Sequence, residues 1–309
     1  MKVSRSHEHN IAILKRAAAS PPGLDVKKRW TTLKQQNISA IVQRTPEWFA
    51  RRRGKFTGSK WSNFFFLGNE EEYHLLRKRT FGYMHNDERV FAPGEVFDAV
   101  SKKRMAYGTQ FEDNAAADCL LRLPNCIGLE ASILPHPTIE YLASSPDGTI
   151  NIYDDDRKTF DTVAFEIKCP SQKLDKRSGK MKYKSVSTPI WYYMPQIFME
   201  MIATGTKATI FQVWNAEKHK VWYIRWNQQY YEFLLKLIAA FKEDSVTFSE
   251  FSHMKKFVEN VGYEVHVKSI FGSTTEQSDY LDVIAGQLNG CWVDDANDCQ
   301  SYDFKNVMD

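Results

Sequence analysis

The sequence contains no run of about 18 consecutive apolar residues, the length a helix needs to cross a bilayer, so no membrane span is expected. It has no C-x-x-C pair. Its five cysteines (Cys119, Cys126, Cys169, Cys291, Cys299) are scattered and odd in number, which excludes a disulfide framework and points to reduced thiols in an intracellular protein, cytoplasmic or nuclear. The first twenty residues, MKVSRSHEHNIAILKRAAAS, carry too short and too interrupted an apolar stretch for a secretory signal. The histidines have no zinc spacing beyond His7-x-His9, and no glycine-rich loop is present to cradle a nucleotide phosphate. Internal repeats and low-complexity tracts are absent too. What remains is a globular chain: 309 residues, 43% hydrophobic and 14% aromatic, enough for a full-sized core.

The net charge of +3 hides a strong asymmetry. Residues 1–60 hold 14 Lys/Arg against 3 Asp/Glu, and the segment 168–187 holds 7 against 1. Residues 271–309 reverse the sign, with 8 acids and a single lysine. A basic front and a basic central segment suit a polyanionic partner, although solvated surface has the same composition.

Residues 1–44 are expected to form a basic extension, with a helix over Ile11–Ala19 ended by Ser20-Pro21-Pro22-Gly23. A core follows over 45–246, and 247–309 form a C-terminal extension with an acidic tail. Thr45-Pro46-Glu47 is a helix opening: a capping hydroxyl, proline at the first helical position and an acid in the first turn. A second helix is predicted after Thr57-Gly58-Ser59, burying Trp61, Phe64 and Phe65, and a long one over 99–121, with Met105, Phe111, Ala115 and Leu120 near helical spacing. The period then shortens. Ile139–Ala143, Thr149–Tyr153 and Thr162–Lys168 read as strands, with Asp147-Gly148 as a hairpin turn between the first two. A helix over Ile190–Ala203, kinked by Pro195, leads to a hairpin of Thr206–Trp214 with His219–Trp226 and a final helix over Gln228–Phe241. The order α, α, β-β-β, α, β-β, α predicts an α/β fold with a central mixed sheet flanked by helices.

The third predicted strand holds the chemistry. Glu166 and Lys168 lie two apart and leave one face, while Phe165 and Ile167 leave the other. A charge in an apolar central strand is costly unless it is paired or bound to metal; an ion pair on an exposed edge strand would have the same sequence. Upstream, Ser144-Ser145-Pro146-Asp147-Gly148 is an ordinary turn sequence taken alone. Together the segments supply two carboxylates and an amine, the Asp…Glu-x-Lys arrangement of the PD-(D/E)xK nucleases. Two carboxylates suit Mg²⁺, which prefers oxygen ligands and keeps several waters. A lysine on the same face can orient a water, or deprotonate it if its own pKa is depressed.

Five segments in order widen the likeness: Glu47-Trp48-Phe49-Ala50-Arg51-Arg52-Arg53-Gly54-Lys55-Phe56-Thr57-Gly58-Ser59, Tyr107-Gly108-Thr109-Gln110-Phe111-Glu112, Ser144–Gly148, Phe165-Glu166-Ile167-Lys168-Cys169-Pro170 and Tyr193-Met194-Pro195-Gln196-Ile197. On these motifs the chain resembles the lambda-exonuclease-like, YqaJ-type viral recombinase branch of the PD-(D/E)xK superfamily, from about Glu47 to Trp226. The resemblance implies a restriction-endonuclease-like core. It implies Mg²⁺, with Mn²⁺ as substitute, held by Asp147, Glu166, the Ile167 carbonyl and Glu112. Lys168 would be the catalytic lysine, and Gln196 would stand beside it and the scissile phosphate. Arg52, Ser59 and Ser145 would grip a phosphate, commonly a 5′-terminal one, near Trp48. Spacing favours Arg52 without excluding Arg53. Trp48 itself reads as core more readily than as a wedge between bases.

The activity implied is a 5′→3′ exonuclease acting on double-stranded DNA ends, in viral or phage recombination or genome processing. A trimeric ring and a single-strand annealing partner are implied with it. Two alternatives stay open: an endonuclease, nickase or RNA-degrading nuclease on the same core, and an inactive nucleic-acid-binding recombination partner. Every catalytic position holds a competent residue, which disfavours the last.

Overall fold

The computed structural model describes residues 43–253, with short interruptions at 95, 123–125, 155–158, 172, 175–176, 178–180, 183–189 and 216–218, together with 267–269. The helix expected over Ile11–Ala19, the His7-x-His9 pair, much of the basic segment 168–187 and the acidic tail lie outside the described residues.

Helix α1 (Pro46–Arg52) starts as its sequence dictates: the Thr45 hydroxyl accepts a hydrogen bond from Trp48 N at 3.3 Å, and proline occupies the first turn, where no N–H is needed. Strand β1 (Phe56–Thr57) and helix α2 (Lys60–Phe65) follow, and Trp61, Phe64 and Phe65 are all fully buried, as their spacing predicts. Among the elements that escaped the sequence reading are helix α3 (Glu70–Phe81), capped by the Asn69 side chain, and an exposed hairpin of β2 (Tyr83–His85) and β3 (Glu88–Val90). The long helix α4 (Ala99–Arg122) forms as expected. Met105, assigned to its apolar face, is nevertheless exposed, because burial against the sheet begins only at Ala115.

Strands β4 (Cys126–Glu130), β7 (Gly148–Asp154), β8 (Thr159–Lys168), β11 (Ala208–Trp214), β12 (His219–Arg225) and β13 (Val267–Ser269) build a six-stranded sheet in the order β13-β12-β11-β8-β7-β4. It is mixed: β8 and β11 run parallel, the other neighbours antiparallel. Strands β5 (Leu134–Pro135) and β6 (Leu142–Ser144) join β1 in a small separate sheet, while β9 (Lys173–Leu174) and β10 (Met181–Lys182) pair with each other. The hairpin expected between β6 and β7 is therefore absent. β6 pairs with β1 and β5, β7 pairs with β8, and Asp147 marks the step from one sheet to the other.

Helix α5 (Met194–Thr204) also differs from expectation. A 3₁₀ turn over Trp191–Tyr193 precedes it, so Pro195 falls in the first helical turn instead of the interior and causes no kink. Helix α6 (Gln228–Glu243) closes the layer. One face of the sheet packs on α4 through Val163, Phe165, Ile167 and Ile210; the other packs on α5 and α6 through Phe211, Val213, Trp222 and Ile224. Phe251, beyond α6, is buried against Phe64 at a ring separation of 4.4 Å. Among the described residues no helix is long and apolar enough to cross a membrane.

His136 joins β5 to α6 and is structural. Its Nδ1 accepts from the backbone N–H of Thr138 and Ile139 at 3.1 and 3.0 Å, and its Nε2 meets the Tyr231 hydroxyl. Burial pushes the imidazole below its ordinary pKa, since a protonated ring could not accept those bonds. The folded value lies below the unfolded one, so this stability is complete above about pH 6.5 and is lost as pH falls through the folded value. Thermal unfolding should therefore show Tm dropping on acidification below pH about 6.5, with a shallower drop in His136→Asn. Parallel pH profiles would contradict the assignment.

Candidate active site

The β7–β8 register pairs Gly148 with Phe165, which brings the Asp147 turn against the end of β8. Asp147 Oδ2 accepts from Ile167 N at 2.7 Å, twenty residues away. Glu166 and Lys168 leave the opposite face of β8 from Phe165 and Ile167, as strand period requires. There Lys168 Nζ donates to Glu166 Oε1, and Gln196 Nε2 donates to the same oxygen at 2.6 Å. Glu166 is only 2% exposed, and among the described residues its other oxygen, Oε2, has no partner. Gln196 reaches the strand because α5 begins at Met194. Its amide also donates to Glu200 Oε1 at 2.8 Å.

These groups hold one another in unusual charge states. Burial, reinforced by Glu166 and Glu112, keeps the Asp147 carboxyl well above the ordinary carboxylate range, against the pull of Lys168 and Ile167 N–H. Burial would lower the Lys168 ammonium, but Glu166, Asp147 and Tyr193 outweigh it and raise it. The lysine is thus a firm cation here, its ammonium 5.1 Å from the Tyr193 ring centre; the depressed pKa that a lysine base requires is not met while both carboxylates face it. Glu112, on α4, contributes its charge to this cluster, but its carboxylate is taken by Arg44 at 2.7 Å.

A second constellation stands on the other side of the Ser145-Pro146-Asp147 turn. Arg52 donates to the hydroxyls of Ser145 (3.2 Å), Thr57 (2.9 Å) and Ser59 (2.6 Å), and its guanidinium stacks 4.1 Å over Trp48. Among the described residues no carboxylate pairs with it, and burial lowers it to about 10. Next to it, burial and the charge of Arg52 push Lys60 down to about 8; its ammonium donates to the Lys55 carbonyl and the Thr80 hydroxyl. Arg53 turns away, stacking 4.8 Å over Phe91, and Arg51 meets exposed Glu47 at 3.9 Å. Helix phase separates Arg51 from Arg52, while Arg53 lies just past the helix end in extended backbone and leaves on its own course. Trp48 is buried, as its reading as core anticipates.

Sequence reasoning overlooked five participants, Lys60 among them. Thr57 lay inside a recognised motif without a role. Gln43 pins the turn by donating to the carbonyls of Ala131 (2.8 Å) and Pro146 (3.3 Å), and Arg44 anchors Glu112; both had been counted with the basic extension. Glu200 carried a legible signal, an acid one helical turn after Gln196 in an apolar run.

The family model for the YqaJ-like viral recombinase domain matches residues 47–207, more than half of the chain. The chain belongs to this family. Among solved structures, the YqaJ-like chain is similar to an alkaline exonuclease from Laribacter hongkongensis, at 21% identity and a TM-score of 0.43. It is also similar to that protein in complex with dAMP, at 20% and 0.42. Each comparison covers 72% of this chain and all of the other. Comparison with curated proteins finds no match.

Gly58 shows how closely the two constellations are packed. A Cβ there would lie 2.7 Å from Ser144 Oγ and 3.1 Å from Gln196 Cγ. Gly58→Ala should therefore cost about 1–3 kcal/mol by overpacking, read by chemical denaturation. An unchanged midpoint would mean that α5 can give way freely.

Proposed function

We propose that the protein is a metal-dependent deoxyribonuclease whose core spans residues 45–246, acting as a 5′→3′ exonuclease on double-stranded DNA ends. The observation carrying this reading is the convergence of Asp147, Glu166, Lys168 and Gln196 beside an unpaired, hydroxyl-ringed arginine. Family membership supports it, since the recombinase domain supplies the chemical context for that grouping.

The donor set fits a hard divalent cation. Among the described residues no three His, Cys, Asp or Glu side chains form a metal cage. Mg²⁺, however, needs only one or two carboxylates and retains waters. Asp147 and Glu166, with the Ile167 carbonyl, would hold it, and Glu166 Oε2, a buried oxygen with no hydrogen-bond partner among the described residues, fits a cation ligand. Glu112 would join only by releasing Arg44. Bound there, Mg²⁺ or Mn²⁺ would acidify a water and screen charge on the phosphate. The chain's own groups do the rest. Lys168, a cation pinned by Glu166, orients the attacking water and the phosphate; it can accept a proton only once its carboxylate neighbours are neutralised. Gln196 fixes the Glu166 carboxylate.

Arg52 and Lys60, buried without counter-charges among the described residues, would be relieved by an anion, and the hydroxyls of Thr57, Ser59 and Ser145 add neutral donors around it. A terminal phosphate seated there would put the first phosphodiester near Asp147, because Ser145 and Asp147 are two residues apart. A trimeric ring and an annealing partner belong to this reading as well.

The test is an assay with 5′-phosphorylated linear duplex, 5′-hydroxyl duplex, closed circular plasmid and RNA, in Mg²⁺ or EDTA. Mononucleotides should appear from the phosphorylated duplex only with Mg²⁺, leaving the circle intact. Cutting of the circle would point to an endonuclease, and binding without cleavage to an inactive partner. Lys168→Ala should reduce cleavage about 100-fold or more while DNA binding persists; unchanged turnover would sink the site. Arg52→Ala should erase the preference for a 5′-phosphate, and a preserved preference would redirect the phosphate to Arg53 or Ser145.

A further inference from the structure

Glu200 has no part in the chemistry above. It lies one turn after Gln196 on α5, wholly buried, in the run Met194-Pro195-Gln196-Ile197-Phe198-Met199-Glu200-Met201. A carboxyl group in that setting is costly, and a leucine would pack there without penalty. Among the described residues its Oε2 has no partner, and its Oε1 touches a single donor, Gln196 Nε2, at 2.8 Å. The same nitrogen gives its other hydrogen to Glu166 Oε1 at 2.6 Å.

A primary amide has two N–H donors on one side and an accepting oxygen on the other. With one hydrogen of Gln196 on Glu166 and the other on Glu200, a half-turn of the amide would set its oxygen against Glu166 Oε1, an acceptor already holding Lys168. That orientation is thereby disfavoured. Gln196 Oε1 accepts no hydrogen bond among the described residues and is not one of the sealed, partnerless buried atoms. Lys168 Nζ and Gln196 Nε2 share Glu166 Oε1, so the Gln196 amide nitrogen and the lysine hold the same carboxylate oxygen.

We propose that Glu200 is a positioning residue that locks the Gln196 amide, so that its nitrogen always faces Glu166 Oε1, the oxygen that Lys168 also holds. The Glu166 carboxylate is thereby kept in one orientation toward the lysine and toward a cation on its other oxygen. The catalytic consequence rests on the nuclease reading; the locking does not.

Two variants test this. In Glu200→Leu a buried carboxyl gives way to a well-fitting apolar group, so Tm should hold or rise. Its kcat should nevertheless fall about 10-fold or more with KM for DNA unchanged, the signature of an interaction used in the transition state. Glu200→Gln keeps a side-chain carbonyl facing Gln196 and should restore kcat to within about threefold of wild type. A residue needed only for packing would not raise Tm and lower kcat together. An unchanged kcat in Glu200→Leu, or an equal loss in Glu200→Gln, overturns the proposal.

A readout independent of cleavage uses ¹⁵N-labelled protein. The two Gln196 side-chain amide hydrogens should be distinct and protected from exchange in the wild type and Glu200→Gln, and should lose protection in Glu200→Leu. Retained protection in Glu200→Leu overturns the locking even in a protein that cuts nothing. A wild type that cuts no nucleic acid with any divalent metal would instead remove the nuclease reading alone.

Discussion

The hydrogen bond from Ile167 N to Asp147 Oδ2 is the tie on which the rest of the molecule depends. It closes a gap of twenty residues and joins two sheets. On one side stand β1, β5 and β6 with the arginine cradle; on the other stand β7 and β8 with Glu166 and Lys168. A backbone donor has no rotamers to explore, so the carboxylate it holds is fixed by the sheet itself, and Gln43 secures the same turn from the opposite side. Loss of that tie would free the Asp147 carboxylate, while the core that Phe56 and Leu142 share with Phe211 and Trp222 still holds the two sheets together.

Charge is segregated across this tie. Asp147, Glu166, Glu200 and Glu112 gather with one lysine, and burial together with mutual repulsion raises Asp147 and Glu200. Two residues back along the turn, Ser145 belongs to a cradle holding Arg52 and Lys60 with no acid among the described residues. Each cluster is costly alone, and each is relieved by the opposite charge: a cation for the first, an anion for the second. A phosphate chain with its divalent counter-ion carries both. The stability withheld from the free protein is thus available for binding.

Much of this was legible in the sequence wherever local chemistry and tertiary demand agree. The capping hydroxyl and proline at Thr45-Pro46, the buried aromatic face of α2, and the alternation of Phe165, Glu166, Ile167 and Lys168 all appear as read. The separation of Arg52 from Arg53 was not legible in this way: the helix ends between them, and only the structure identifies which one meets the hydroxyls. Pairing between distant segments was not legible. Pro-Asp-Gly signals a reversal but not which strand lies beside it, so the turn was taken for a hairpin when β6 belongs to another sheet. Helix α3 passed unread because its sequence, Glu70-Glu71-Glu72-Tyr73-His74-Leu75-Leu76-Arg77, is polar on most of its circumference. Arg44 sits at a boundary drawn by charge composition, and nothing local announces that it reaches Glu112.

Pro195 was expected to kink a helix, and it sits in the first turn of one. Proline is accepted readily in the first turn and poorly after it, so it fixes where the helix starts as well as where it cannot extend. Sliding the start by one residue would rotate every side chain by about 100°. Gln196 and Glu200 would then swing off the sheet together, leaving Glu166 to the lysine alone. The ring that contributes no hydrogen bond to the site therefore serves as its phase reference, setting the angular origin from which the polar residues of α5 are counted.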